Sequence, residues 1–222
     1  MATLPTYIPP QPSTAIASYD WTNLEDASGV VGYDAFTTTA SGSVITNLSS
    51  QTLYTSEIEN ETDYSIDGYN TWEKGVDVDI DLTTYNLPQN IRGTGYIRFF
   101  SYLTVVSNGL HFFWRARLRK VSGGTETEIA FAETEKLEEG AGTFSGSYIL
   151  PITIPLTHFK KGDNLRLTME GWGNGRGNPG TTTGKMVFGT DPQNQDGTYI
   201  APSVVTTQTT STKLWIPYKI KN

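Results

Sequence analysis

The segment from Val76 to Leu82 alternates strictly between aliphatic and acidic residues. Successive side chains of a β-strand point to opposite faces, so this period of two places Asp77, Asp79 and Asp81 on one face and the aliphatic side chains on the other. One face is therefore predicted to join a core, and the acidic face must meet solvent or cations.

Runs with strand-like composition recur along the chain and are separated by turn residues. Ser107-Asn108-Gly109, Ser122-Gly123-Gly124 and Lys161-Gly162-Asp163 are predicted turns, because Gly and Asn tolerate positive φ. This spacing predicts an all-β fold, an antiparallel β-sandwich of jelly-roll type, in one domain over residues 18–222. The predicted strands are Ser43–Leu48, Asp77–Leu82, Gly95–Val106, Leu110–Val121, Glu126–Glu133, Thr143–Ile154, Asn164–Gly171, Lys185–Gly189 and Lys213–Ile220.

Residues 1–17 are predicted to form an extended N-terminal arm, because several prolines near the start remove backbone donors and fix φ. Two interpretations stay open: a frayed terminus, or an arm that docks on a neighbouring subunit. In the second case the contact residues would be Leu4, Tyr7, Ile8, Pro9 and Pro10.

Composition excludes several classes of site. The chain has no cysteine and two histidines, so thiolate metal sites and disulfide frameworks are excluded and no metal or other cofactor is expected. The net charge of −7 argues against nucleic acid as a partner. The N-terminus has no signal-peptide pattern and no apolar run is long enough to span a bilayer, so synthesis in a cytoplasm and no membrane contact are expected.

The acidic row has a candidate partner in the sequence. Arg115, Arg117 and Arg119 alternate with apolar residues in the same way and share one strand face. We hypothesise that the Asp and Arg rows lie on the same side of one sheet as an ionic ladder, with adjacent strands as one arrangement that would allow it. A solvated charged face and a calcium site are the alternatives, but strand carboxylates this far apart do not converge on one ion.

The segment Gly171–Gly180 is the most glycine-rich part of the chain and is predicted to be a long loop at one end of the sandwich. It matches a dinucleotide fingerprint only formally, since no helix-forming run follows it. Trp172 and Arg176 are the candidate surface contacts for a ligand. No catalytic residue is identified and no enzymatic activity is expected, although paired carboxylates for glycoside hydrolysis stay open.

A family resemblance is carried by Thr157–Leu167, Phe188–Pro192 and Leu214–Ile220, after Tyr19-Asp20-Trp21 and Leu53–Ser56. In this order the segments resemble uncharacterised structural proteins of tailed bacteriophages. The resemblance implies a virion component with a jelly-roll-like fold, and it brings no active-site residues.

The function expected from this resemblance is a capsid decoration, cement or minor capsid protein on the capsid exterior of the virion. Its partners would be the major capsid protein or other virion proteins, and a homo-oligomer, with a trimer as the expected state, would bury further aromatic surface. The alternative is a receptor-binding module of a tail or fibre, in which loops near Trp172 contact host glycan.

Overall fold

A computed structural model of the chain describes residues 18–20, 28–40, 43–51, 59–66, 71–106, 108–175, 181–191 and 211–219. All regular elements in these ranges are β-strands, which confirms the predicted all-β class. The predicted arm, residues 1–17, and Arg176 lie outside the described residues. Within the described ranges, no helix has the length and apolar character needed to cross a membrane.

The strands are β1 (Ser18–Asp20), β2 (Ser28–Ala40), β3 (Ser43–Ser49), β4 (Glu59–Ile66), β5 (Glu73–Leu82), β6 (Gln89–Val105), β7 (Leu110–Ser122), β8 (Thr125–Glu133), β9 (Leu137–Glu139), β10 (Gly142–Phe159), β11 (Asn164–Gly175), β12 (Thr182–Gly189) and β13 (Lys213–Lys219). Each predicted strand overlaps one of them. The predicted turns have the expected backbone, with positive φ at Asn108, Gly109, Gly123, Gly124 and Gly162.

Hydrogen bonding follows the order β4-β12-β6-β13-β2-β3-β5-β11-β7-β8, with β1 on β2, β10 on β6 and β9 on β7. Every pairing is antiparallel except β3 with β5, which is parallel at Asn47–Asp81 and Leu48–Leu82. This short parallel contact connects the half of the sheet around β6 to the half around β11.

The two halves face each other across one hydrophobic core, so the fold is a β-sandwich. Phe99 of β6 and Phe188 of β12 contact Trp114 of β7 edge to face, with ring centroids 5.8 and 6.1 Å apart. The inward faces of β5 and β11 add Val76, Ile80, Leu165, Leu167 and Met169, all essentially inaccessible to solvent. The aliphatic face predicted for 76–82 therefore lies in the core.

The first half of the glycine-rich segment departs from the predicted loop, because Gly171–Gly175 continues β11 and pairs with Leu110–Trp114 of β7. Residues 176–180 lie outside the described residues. The glycines allow other strands to pass closely over β11. A Cβ at Gly171 would lie 2.8 Å from Met186 Sδ, and one at Gly173 would lie 3.1 Å from side-chain carbons of Ile66 and Leu110. Close packing, not loop flexibility, explains glycine at these positions.

Candidate functional site: the charged face

The outer surface of β5, β11, β7 and β8 carries a network of ionised side chains, which we call the charged face. The strand register aligns the side chains of β11 with those of both neighbours, so that Arg166 lies opposite Asp81 and Arg119, and Glu170 lies opposite Asp77 and Arg115. The members of the charged face are Lys74, Asp77, Asp79, Asp81, Arg115, Arg117, Arg119, Glu126, Glu128, Glu133, Arg166 and Glu170.

The Asp row of β5 and the Arg row of β7 lie on the same face of one sheet, as hypothesised, but β11 separates them. They are therefore not on adjacent strands, and only Arg119 pairs across, its NH1 group lying 3.7 Å from Asp79 Oδ1. Asp77 pairs with Lys74 of its own strand, and the other members of the two rows bind side chains supplied by β11 and β8.

Glu170 is the centre of the network. It is 2% exposed, and its carboxylate accepts hydrogen bonds from Arg117 Nε and Trp172 Nε1, each at 2.9 Å. Cationic atoms of Lys74, Arg115 and Arg119 lie within 3.8 Å of it. A buried carboxylate with this many cations and donors satisfies the condition under which burial of a charge is tolerated.

Arg166 links the acidic row of β5 to β8. Its guanidinium donates two parallel hydrogen bonds of 2.7 Å to Asp81 and one of 2.7 Å to Asp79, and it also contacts Glu126. Hydrogen bonds with Asp81 raise the pKa of Arg166 above its usual range. Such bidentate pairs fix the side chain in one geometry.

On β8, Glu133 pairs with Arg115, Glu128 pairs with Arg117, and Glu126 pairs with Arg119. Burial acts to lower the pKa of Arg117, but hydrogen bonds from its guanidinium to Glu170 and Glu128 outweigh it, so the pKa lies above its usual value. Each arginine of β7 thus bridges the buried Glu170 and a more exposed glutamate.

Aromatic rings close one end of the charged face. Trp172 stacks parallel to Phe113 with ring centroids 6.1 Å apart, and Trp72 meets Phe113 edge to face at 4.9 Å. The Arg115 guanidinium lies 5.0 Å from the Trp172 ring centroid and 5.3 Å from that of Phe131. Cation–π contacts with Trp172 and Phe131 therefore stabilise the position of the Arg115 side chain.

This environment changes the interpretation of Trp172. Its N–H group is bound to Glu170, and its ring is in contact with Phe113 and Arg115. The ring is half-buried in a packed cluster, so it does not present an open stacking platform for a ligand. Its proposed companion, Arg176, is not among the described residues.

Sequence reasoning missed Glu170, Arg166 and the β8 glutamates, which complete the network. Thr168, Glu170 and Trp172 follow Arg166 at intervals of two, which is the same polar alternation that identified the charged faces of β5 and β7. Thr168 Oγ1 donates a 2.7 Å hydrogen bond to Asp79. The alternation was therefore present, but a row of mixed chemical type was not recognised as a charged face.

The chemistry available at this face is electrostatic. Among the described residues, no group of His, Asp and Glu side chains converges in a way that could hold a metal ion. The side-chain partners of the histidines lie elsewhere: His111 Nδ1 is 3.9 Å from Glu138, and His158 Nδ1 is 2.7 Å from Asn90.

No family model matches the sequence, and no curated protein is significantly similar to it. Among solved structures, the fold is similar to that of an α-amino acid ester hydrolase, with a TM-score of 0.54 and 10% identity over 83% of this chain and 36% of that one. An aminopeptidase from a marine sediment archaeon of the Thaumarchaeota gives a TM-score of 0.50 and 9% identity over 85% of this chain and 37% of that one. The chain thus spans little more than a third of the length of these proteins.

The expectation that the protein is not an enzyme is contradicted by this comparison, because the solved structures that share its fold include a hydrolase and an aminopeptidase. At about this identity the likeness shows the fold alone, and it assigns no catalytic residue to this chain. The inference from missing sequence motifs failed because catalytic groups are recognised by geometry, which a motif search does not examine.

Proposed function

We propose that the protein is a bacteriophage virion structural protein that decorates or stabilises the capsid exterior through contacts with shell subunits. The observation that carries this proposal is an apolar strip on the outer face of β6, β10 and β13, on the opposite side of the sandwich from the charged face. The tailed-phage resemblance in the sequence supports the same assignment.

The apolar strip consists of Tyr96, Ile149, Pro151 and Trp215. Pro151 and Trp215 are the direct neighbours of Tyr96 on its two sides, and Ile149 lies one row further along β10. Ile149 is 66% exposed and Tyr96 is 46% exposed. Tyr96, Pro151 and Trp215 form one row across the three strands, and Ile149 lies in the next row, opposite Arg98. Apolar side chains grouped on a strand surface mark an interaction site more often than isolated ones do.

The edge of β10 adds to this surface. Among the described strands β10 pairs only with β6, and a groove of about 310 Å³ lies along its edge between Tyr148–Leu150 and Glu133–Leu137. The part of this edge that opens into the groove, beside an apolar face, is a surface on which a neighbouring subunit can dock.

The first test is the copy number of the protein in purified particles, measured by mass spectrometry against the major shell protein. A ratio comparable with that of the shell protein supports decoration. Absence from particles contradicts the proposal.

The second test is rebinding of purified protein to particles stripped of it. Ile149→Glu, which places a charge in the apolar strip, is expected to abolish binding, whereas the matched variant Thr127→Glu on exposed β8 should bind as the wild type does. Equal binding of the two variants would contradict a role for the strip.

A second candidate function is favoured by one specific observation, the likeness to an α-amino acid ester hydrolase at a TM-score of 0.54. In this case the chain would serve as the β-sandwich unit of a hydrolytic protein. The test is the rate at which the purified chain hydrolyses an α-amino acid methyl ester, compared with the rate of a heat-denatured sample. A rate equal to that of the denatured sample would contradict catalysis by this chain alone.

A further inference from the structure

A recess lies at the end of the sandwich where β3 and β5 finish. It has a volume of about 330 Å³ and an apolar floor of Leu48 and Leu82. Its walls are formed by Tyr33, by Ser49–Gln51 and by Thr83–Asn86. This volume lies at the lower end of the range of small-molecule sites.

Three tyrosine hydroxyls form a chain beside this recess. The hydroxyl of Tyr218 lies 2.7 Å from that of Tyr33 and 2.7 Å from that of Tyr85. Burial is the main cause that raises the pKa of each of the three phenols, so all three remain protonated near neutral pH.

Counting protons shows that the chain is incomplete. Three neutral hydroxyls carry three protons, and the two hydrogen bonds between them use two. When Tyr218 donates to one neighbour, the other neighbour donates to Tyr218, and the third proton is that of the neighbour that accepts from Tyr218. That neighbour is Tyr33 or Tyr85, and both of these side chains line the recess. When both neighbours donate to Tyr218, the third proton is that of Tyr218 itself. A ligand acceptor in the recess would complete the chain, as buried polar groups generally require.

The position of Tyr85 is fixed before any ligand arrives. Its backbone N–H donates to the Asp163 carbonyl at 2.8 Å, and its carbonyl accepts from Gly162 at 2.9 Å. Its ring packs edge to face on Phe159 with centroids 5.0 Å apart. A donor held in place in this way loses little entropy when it binds.

The remaining wall chemistry is neutral. No charged side chain occurs among the described residues that line the recess, while hydroxyl groups and the exposed amides of Gln51 and Asn86 are abundant. Neutral hydrogen-bonding groups around an aromatic and aliphatic floor match a ligand that has many hydroxyls, an apolar ring face and no charge. We propose that this recess is a binding site for a neutral monosaccharide unit.

The test is ligand-observed NMR with D-glucose, D-galactose, D-mannose and N-acetyl-D-glucosamine, each also offered as its methyl glycosides. At least one of these sugars is expected to bind with a millimolar dissociation constant, and glucuronate should bind more weakly than glucose. Binding of a methyl glycoside would identify the end of a sugar chain as the source, whereas binding of the free sugar alone would identify a soluble monosaccharide.

Tyr85→Phe removes one hydroxyl, and Gln51→Ala removes an amide from an exposed position that folding does not require. Each is expected to weaken binding about three- to tenfold, the loss of one hydrogen bond. Tyr148→Phe, a half-buried tyrosine outside the recess, is the matched control and should bind normally. Failure of every sugar to bind, or unchanged binding by both recess variants with native circular dichroism, would overturn the proposal. Neither result depends on attachment to a particle.

Discussion

Replacement of Glu170 by glutamine is the most direct test of the charged face, because it removes one charge and changes almost no volume. The Glu170 carboxylate is 2% exposed and lies 2.9 Å from Arg117 Nε, with cationic atoms of Lys74, Arg115 and Arg119 at 3.6–3.8 Å. In the variant, four cations would surround a neutral amide.

The expected loss follows from two opposing contributions. At an effective dielectric constant near 20, a pair of unit charges 2.9 Å apart attracts by about 6 kcal/mol, before the desolvation of both groups offsets most of that energy. Removing one partner of a buried pair lowers stability by about 3–5 kcal/mol. The glutamine carbonyl still accepts a hydrogen bond worth about 1 kcal/mol, so we expect Glu170→Gln to lower the free energy of unfolding by about 2–4 kcal/mol.

The assay is urea unfolding at pH 7, followed by tryptophan fluorescence, in low salt and in 1 M NaCl. The matched control is Glu128→Gln, whose carboxylate is 42% exposed and pairs, among the described residues, with Arg117 alone. It should change stability by less than about 1 kcal/mol, and high salt should erase the change. A Glu170→Gln protein as stable as the wild type, or equal effects of the two variants, would refute the central role of Glu170.

Two further predictions concern the supports of the sandwich. Hydrogen bonds from Ser122 and the Lys160 backbone lower the pKa of Asp163 to about 2, so its stabilising contribution is complete above the ordinary carboxyl pKa near 3.8 and disappears as the pH falls through about 2. Asp163→Asn should therefore be less stable than the wild type at pH 7, with a difference that vanishes in acid titrations; a constant difference from pH 7 to pH 2 would refute the assignment. A Cβ at Gly184 would lie 1.7 Å from the Thr104 carbonyl oxygen, so Gly184→Ala should lower the free energy of unfolding by about 3 kcal/mol, while Gly140→Ala, with open space around it, should be neutral in the same urea titration.

The strands that could be predicted from the sequence are those whose alternation is strict. The pattern over 76–82 placed both faces of β5, and the Arg115–Arg119 pattern did the same for β7. Four strands, β1, β2, β4 and β9, were missed, and for β2 and β4 the reason can be identified. In β2, Gly32 has a low strand propensity, but it lies opposite Trp215, where a Cβ would approach the indole nitrogen to 3.2 Å. In β4, the polar residues of Glu59–Ile66 have low strand propensity, and pairing with β12 overrides it.

The candidate sites were less predictable than the fold because they depend on which strands are neighbours. Sequence alternation places residues on a face, but it does not say that β11 lies between β5 and β7. Glu170 becomes important only in that position. The tyrosine chain is harder still, since Tyr33 and Tyr218 are 185 positions apart and no local pattern connects them.

The charged face differs from the apolar strip and from the recess in that its charged groups are already paired within the protein. In the charged face, five cations and seven carboxylates are paired with one another, so a partner docking there would have to compete with internal ion pairs. The apolar strip leaves Ile149 exposed, and the tyrosine chain leaves one proton without an acceptor among its own members. A surface with exposed apolar area or an unpaired hydrogen-bond donor gains more binding free energy from a partner than a surface whose charges are already paired. The charged face therefore serves the stability of one half of the sandwich, and for this reason our two binding proposals concern the strip and the recess.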